Sequence, residues 1–140
     1  MPRRSILLAL LALLAVLAVT ACDSGEASEP PGAYTVSASE AVEMIESGER
    51  TIIDVRTPGE FDLAHVVGAL NIDVEAPDFA DRIAELDSDE PYLVYCRTGN
   101  RSATAAALMA EAGIADIADA GGLADLARAG AQVQSSVAVE

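Results

Sequence analysis

Hydrophobic residues recur along the chain in two alternating patterns. Short apolar runs rich in branched residues predict strands, and longer stretches with apolar residues three and four positions apart predict helices. Strands are predicted at residues 33–36, 51–55, 68–72, 91–95 and 115–120, and helices at 37–48, 78–86, 102–113 and 123–130, with a turn or short helix at 57–61. This alternation predicts an α/β domain with a largely parallel sheet, whose sites gather where strands end and helices begin.

The first predicted helix carries its own start and stop signals. Ser37 is followed three residues later by Glu40, which predicts a capping box at the helix N-terminus. Gly48 supplies the stop.

The N-terminus follows a different pattern. Two arginines precede a run of 14 uncharged, mostly apolar residues at 6–19. A membrane-spanning helix needs about 20 apolar residues, so this pattern predicts a cleaved signal peptide over residues 1–21 rather than a retained anchor.

The residues around Cys22 resemble the lipobox of bacterial lipoproteins, an aliphatic residue and two small ones before a cysteine. That resemblance implies a lipid on Cys22 and an exported protein anchored in the cell envelope. A plain secretory cut after Ala21 also fits and is the less favoured alternative. Residues 22–33 are polar, with two prolines, and predict a flexible tether to a folded domain at 34–140.

The net charge is −15, from eight arginines and 23 acidic residues. Such a chain offers no basic face for nucleic acid and no polybasic patch for anionic lipid. One histidine, and one cysteine besides Cys22, give no metal-ligand cluster, so we expect no metal, and no organic cofactor is implied either. We expect a monomer.

The stretch "YCRTGNRSA" at residues 95–103 concentrates candidate chemistry at a strand-to-helix junction. A helix N-terminus leaves backbone N–H groups unpaired, Gly99 permits a tight loop, and Arg97 and Arg101 add positive charge. These features predict a lowered pKa for Cys96 and a nucleophilic thiolate. The alternative, an inert buried cysteine before a plain turn, is less favoured.

Three segments together resemble rhodanese-like (sulfurtransferase) domains: residues 52–72, the 95–103 loop, and "GGL" at 121–123. The resemblance covers about residues 34–137 and implies a three-layer fold with a five-stranded, largely parallel sheet. It implies that Cys96 takes a sulfane sulfur from an anionic donor, thiosulfate or a persulfide, and passes it to a thiol. The loop cradling that sulfur would be Arg97, Thr98, Gly99, Asn100 and Arg101.

The length of the loop after Cys96 distinguishes a sulfurtransferase from a phosphatase or an arsenate reductase. Relatives that handle phosphate or arsenate carry five residues between cysteine and arginine, whereas four separate Cys96 from Arg101, and a phosphatase-like arginine would fall on Ser102. A small-anion phosphatase or arsenate reductase is therefore disfavoured. A non-catalytic binding or redox-sensing module at the membrane surface stays open as the alternative.

Four further residues near these motifs receive supporting roles. Asp54 is expected to accept backbone N–H groups, Arg56 to pair with an acid, and Glu60 to pair with Arg101 and hold the loop. His65, the sole histidine, is expected to pack and hydrogen-bond rather than to act as a base.

Two positions depart from the family pattern. Ala64 replaces the usual glycine before the histidine, which would strain the backbone if that position needs a positive φ. Leu126 replaces a usual tryptophan, which is expected to weaken one packing anchor near the site.

Overall fold

The computed structural model describes residues 32–137. Their principal feature is a parallel five-stranded sheet in the order β1-β6-β5-β2-β4, with a separate antiparallel ribbon of β3 and β7. The strands are β1 Ala33–Thr35, β2 Thr51–Asp54, β3 His65–Val66, β4 Leu70–Asn71, β5 Tyr92–Cys96, β6 Ile117–Gly122 and β7 Val133–Gln134. The helices are α1 Ala38–Ser47, α2 Pro58–Leu63, α3 Phe79–Ala84, α4 Asn100–Glu111 and α5 Leu123–Ala129.

Helices cover both faces of this sheet and create two apolar cores. On one face, Phe79 and Ile83 of α3 and Met109 of α4 pack against residues of β2, β5 and β6. On the other face, α1 and α5 contribute Ala41 and Leu126. Because β5 is buried along its whole length between two parallel neighbours, its sequence is a continuous apolar run rather than an alternating one. The predicted three-layer α/β fold is confirmed.

The helix starts follow directly from side-chain chemistry. The predicted capping box of α1 is present: the Ser37 hydroxyl accepts from the Glu40 N–H, and the Glu40 carboxylate accepts from the Ser37 N–H. A second capping box, which we did not predict, opens α2 with Thr57 and Glu60 in the same roles. It fixes the position of Glu60.

Several predicted boundaries shift in the structure. Helix α4 begins at Asn100 and not at residue 102, because Gly99 adopts a left-handed conformation (φ 103°) directly before it. The predicted strand at 68–72 contracts to the two residues of β4. The ribbon of β3 with β7 was not predicted, since each strand has two residues and no alternating pattern.

Both residues that depart from the family pattern have regular surroundings in the structure. Ala64 has φ −166°, an extended conformation open to any residue, so the expected strain is absent. Leu126 is fully buried in the core beneath α1 and α5, where it supplies a packing anchor in place of a larger ring. The expectation of a weaker anchor than a tryptophan would give stays a prediction.

The predicted signal peptide at 1–21, the lipid on Cys22 and most of the tether at 22–33 lie outside the described residues. Within residues 32–137, no helix is both long and apolar enough to span a bilayer.

Candidate active site

Cys96 ends the central strand β5, and the three residues 97–99 connect it to the N-terminus of α4. Its side chain is fully buried. Parallel strands place their carboxyl ends at one edge of the sheet, which is where ligands bind in open α/β sheets. The loop predicted from sequence therefore lies at the expected place in the fold.

Backbone N–H groups surround the Cys96 sulfur. The Gly99 N–H donates to Sγ at 3.0 Å. Burial by itself would raise the pKa of the Cys96 thiol, but hydrogen bonds from the N–H groups of Ser102, Gly99 and Thr98 and from the Ser102 hydroxyl outweigh it and lower the pKa. The lowered pKa agrees with the direction predicted from the sequence, and the donors responsible are backbone groups and one serine.

Ser102 is the site residue that sequence reasoning missed. It is fully buried, and its Oγ lies 3.7 Å from the Cys96 sulfur and 3.0 Å from the Gly99 carbonyl oxygen, so its single proton can be donated to either the thiolate or the carbonyl. The spacing from Cys96 could have indicated Ser102, since it stands at the position where a phosphatase-like loop carries its arginine. The Ser102 hydroxyl therefore lies beside the Cys96 sulfur, at the position where a phosphatase-like loop would place a cation.

The "GGL" segment forms the wall against which the loop rests. Gly122 pairs with Cys96 in the register of β6 and β5. A Cβ atom built on Gly122 would lie 2.8 Å from the Arg97 carbonyl oxygen and 3.3 Å from the Thr98 Cα. Its φ is −104°, which any residue adopts, so the requirement for glycine here is one of space.

Arg101 is held by two carboxylates. Its guanidinium donates to both oxygens of Glu60 at 2.8 Å and to Glu75 at 3.3 Å. The Arg101 hydrogen bonds lower the pKa of Glu60 to about 2 against the opposing effect of burial, and the Thr57 hydroxyl and N–H contribute. The predicted Glu60–Arg101 pair is present, and through the capping box it joins α2 to the first turn of α4. The contribution of Glu75 was not predicted.

The remaining loop side chains face solvent. Arg97, Thr98 and Asn100 are exposed. Within residues 32–137, the side chains of these three residues form no hydrogen bond or ion pair. The loop therefore presents backbone donors inward and polar side chains outward.

Asp54 and Arg56 form a buried ion pair behind the loop. The Arg56 Nε and Nη2 bond to the Asp54 carboxylate, and Nη2 also donates to the Ala64 carbonyl at 2.6 Å. The Asp54 carboxylate accepts the Arg56 N–H as well, and the Tyr95 hydroxyl at 2.7 Å. Arg56 thus pairs with an acid and Asp54 accepts a backbone N–H, as predicted, although their pairing with each other was not predicted. The hydrogen bond from Tyr95 connects the pair to the residue before Cys96.

His65 has both ring nitrogens engaged away from the sulfur. Nδ1 lies 2.7 Å from the Phe61 carbonyl oxygen, which can only accept, so Nδ1 carries the proton. Nε2 then accepts from the Gln134 amide at 3.2 Å, and the ring stacks on Phe61 at 3.8 Å. These contacts agree with the predicted packing role. Within residues 32–137, no group of three or more His, Cys, Asp or Glu side chains is arranged to hold a metal ion.

Cys96 lies at the end of a central parallel strand, and backbone donors surround its sulfur before a helix begins. Comparison with known protein families identifies the class of protein that has this arrangement. Residues 37–127 match the family described as "Rhodanese-like domain". The chain belongs to this family.

Particular relatives show the range of the family. The chain is 38% identical over 77 residues to the thiosulfate sulfurtransferase PspE of Escherichia coli, across 54% of this chain and 72% of PspE. It is 34% identical over 92 residues to a probable adenylyltransferase/sulfurtransferase, MoeZ, of Mycobacterium tuberculosis, across 65% of this chain but only 24% of MoeZ. The chain thus spans about a quarter of that longer relative.

Among solved structures, the rhodanese-like domain of the Alr3790 protein from Anabaena is similar, with a TM-score of 0.65 and 26% identity. The similarity covers 77% of this chain and 80% of that one.

Proposed function

We propose that the protein is a sulfurtransferase that carries a sulfane sulfur as a Cys96 persulfide. The observation that carries the proposal is the ring of donors around the Cys96 sulfur, with the Gly99 N–H 3.0 Å away. A nest of N–H groups stabilises a thiolate, and donors of the same kind would stabilise the terminal sulfur anion of a persulfide. Similarity to thiosulfate sulfurtransferases such as PspE supports the same activity.

The reaction has two displacement steps. The Cys96 thiolate attacks the outer sulfur of thiosulfate, a new S–S bond forms, and the old S–S bond breaks with its electron pair leaving on sulfite. An acceptor thiol then attacks the terminal sulfur of the persulfide, takes that sulfur as R–S–SH, and returns Cys96 as a thiolate. A small persulfide serves as donor in the same way, with a thiol as leaving group. No metal or organic cofactor is needed for either step.

The loop geometry supports sulfur rather than phosphate as cargo. Four residues between Cys96 and Arg101 close a small ring, and Ser102 fills the place where a phosphatase would position its arginine. We expect Arg97, the exposed residue directly after Cys96, to attract an anionic donor.

A mass measurement tests the proposal. In the full chain with Cys22 replaced by Ser, Cys96 is the single thiol. Incubation with thiosulfate, removal of excess and intact mass analysis should show a gain of one sulfur, about 32 Da, that a reducing thiol reverses. Cys96→Ser in the same background should show no gain. Absence of an adduct with thiosulfate, polysulfide and a small persulfide would favour a non-catalytic binding or redox-sensing module.

We also propose that the domain works at the cell envelope, tethered by a lipid on Cys22. Support comes only from the charge and hydropathy pattern of residues 1–22. Incorporation of a labelled fatty acid in the producing bacterium should require Cys22, and its persistence in Cys22→Ser would contradict the anchor.

A further inference from the structure

Strand β6 carries an irregularity where it passes the active-site loop. In its register with β5, Asp119 lies opposite Val94. Gly122 then lies opposite Cys96, so three residue steps on β6 match two on β5. Such a mismatch is a β-bulge, which bends the strand and leaves an extra residue outside the ladder. Gly121, inside the bulge, has φ 74°, a left-handed conformation that favours glycine.

The bulge lies against the loop that follows Cys96. The Gly121 carbonyl oxygen is 3.5 Å from the Ser102 Oγ. A Cβ atom built on Gly99 would lie 3.6 Å from the Gly121 Cα, which is van der Waals contact. Gly99 and Ser102 both supply donors to the Cys96 sulfur. A shift of the bulge would therefore move groups that surround this sulfur.

Asp119 is a buried acidic residue of the bulge. Within residues 32–137, the buried Asp, Glu and Arg side chains are Asp54, Arg56 and Asp119. The first two pair with each other, whereas Asp119 forms no ion pair in this part of the chain. Burial of a carboxylate without a cation is unfavourable, and hydrogen bonds offset part of that effect. The Asp119 Oδ1 accepts the Gly121 N–H at 3.0 Å.

We infer that Asp119 is a positioning residue of the active site, because its hydrogen bond from the Gly121 N–H fixes the bulge against the Cys96 loop. An aspartate that accepts from the N–H two residues later holds a local turn in shape. Without this acceptor, Gly121 would shift relative to Gly99 and Ser102. The donors would then lie less well aligned with the sulfur, and the thiolate would lose stabilisation.

The pH profile of Cys96 alkylation by iodoacetamide tests this role in the full Cys22→Ser chain. Asp119→Ala should move the midpoint of the profile upward and slow alkylation on its acidic limb by about twofold to tenfold, as expected when one hydrogen bond to a thiolate weakens. Asp119→Asn keeps the acceptor oxygen and removes only the charge, so it should match the parent chain. An unchanged profile in Asp119→Ala, or an equal change in both variants, would overturn the inference.

Asp116→Ala is the matched control for a general loosening of the sheet. Asp116 directly precedes β6, at the end of the strand away from Cys96, and its carboxylate accepts from Arg50 and Tyr34. Its replacement should destabilise the domain in urea unfolding and leave the alkylation profile unchanged. A shift as large as that of Asp119→Ala would contradict a specific role for Asp119.

Amide hydrogen exchange covers the case in which Asp119→Ala does not fold. The Gly121 N–H should be protected from exchange in the parent chain and in Asp119→Asn, because an acceptor oxygen is present in both. A rapidly exchanging Gly121 N–H in the folded parent chain would overturn the inference without the alanine variant.

Sulfur loading separates this inference from the proposed function, on which only this measurement rests. Below the midpoint of the alkylation profile, loading from thiosulfate should slow in Asp119→Ala by about the same factor and stay unchanged in Asp119→Asn. If the parent chain takes up no sulfur from any donor while the alkylation profile still shifts in Asp119→Ala, the sulfurtransferase proposal fails and the role of Asp119 stands. If sulfur loads and Asp119→Ala changes neither measurement, the inference alone fails.

Discussion

Replacement of Glu60 by Gln tests the contact that joins α2 to the active-site loop. The substitution keeps the size of the side chain and keeps an oxygen that can still accept from the Thr57 N–H in the capping box. It removes the negative charge that faces Arg101 through two hydrogen bonds of 2.8 Å. Any loss of stability therefore reports the ion pair rather than the helix cap.

The magnitude follows from the pKa of Glu60. Hydrogen bonds from Arg101, opposed by burial and assisted by Thr57, lower that pKa from 4.5 to about 2. Taken at full value, a shift of that size corresponds to about 3 kcal/mol. The two side chains are 24% and 28% exposed, so solvent screening reduces the expected effect. We expect Glu60→Gln to lower the free energy of unfolding by about 1–2 kcal/mol at pH 7.

The pH dependence of the stability loss tests the ion pair most directly. Because the folded-state pKa of Glu60 lies below its unfolded value, the stabilisation is present above about pH 4.5 and is lost as the pH falls toward about 2. The stability difference between the parent chain and Glu60→Gln should therefore be constant above about pH 5 and shrink steadily below it.

Urea unfolding followed by circular dichroism at pH 7 and at pH 3 measures this difference. Glu75→Gln is the matched control, because Glu75 contacts the same guanidinium through one 3.3 Å bond and is 63% exposed. It should cost less than about 0.5 kcal/mol. A Glu60→Gln variant that matches the parent chain at pH 7 in stability and in the alkylation rate of Cys96 would refute the role of Glu60. A deficit equally large at pH 3 would assign the effect to packing.

Three further substitutions test the donors, the wall and the core. Ser102→Ala should raise the pKa of Cys96, read from the pH dependence of its alkylation, because the side-chain hydrogen bond of Ser102 to the sulfur is lost while the backbone N–H remains. An unaltered profile would leave the backbone as the sole source of the shift. Gly122→Ala should cost about 1–3 kcal/mol in urea unfolding and slow the alkylation of Cys96, because its methyl group meets the Arg97 carbonyl. Gly59→Ala, with nothing within 4 Å, serves as its control, and equal behaviour of the two would contradict the steric argument. Leu126→Ala should destabilise the fold by about 2–5 kcal/mol, since Leu126 is fully buried, and a cost below about 1 kcal/mol would mean that it is no packing anchor.

Much of the fold could be predicted because it rests on local signals. The apolar run of β5 predicts a strand buried on both faces, and Ser37 with Glu40 predicts the start of α1 from hydrogen bonds within one turn. The shorter elements escaped prediction for the opposite reason. The ribbon of His65–Val66 with Val133–Gln134 consists of two-residue strands far apart in the chain, and only their pairing in space makes them strands.

The candidate site was also predictable only in part. By itself, the sequence placed Cys96 at a strand-to-helix junction and predicted a lowered pKa, because the cysteine, Gly99 and the helix start are neighbours along the chain. Only the tertiary structure decided what each arginine does there. Arg97 and Arg101 look equivalent in "CRTGNR", yet Glu60 and Glu75 engage one of them and leave the other in solvent. Charge pairing depends on which side chains meet across elements, and that distance is set by the packing of α2 and α4 around the sheet rather than by the order of residues.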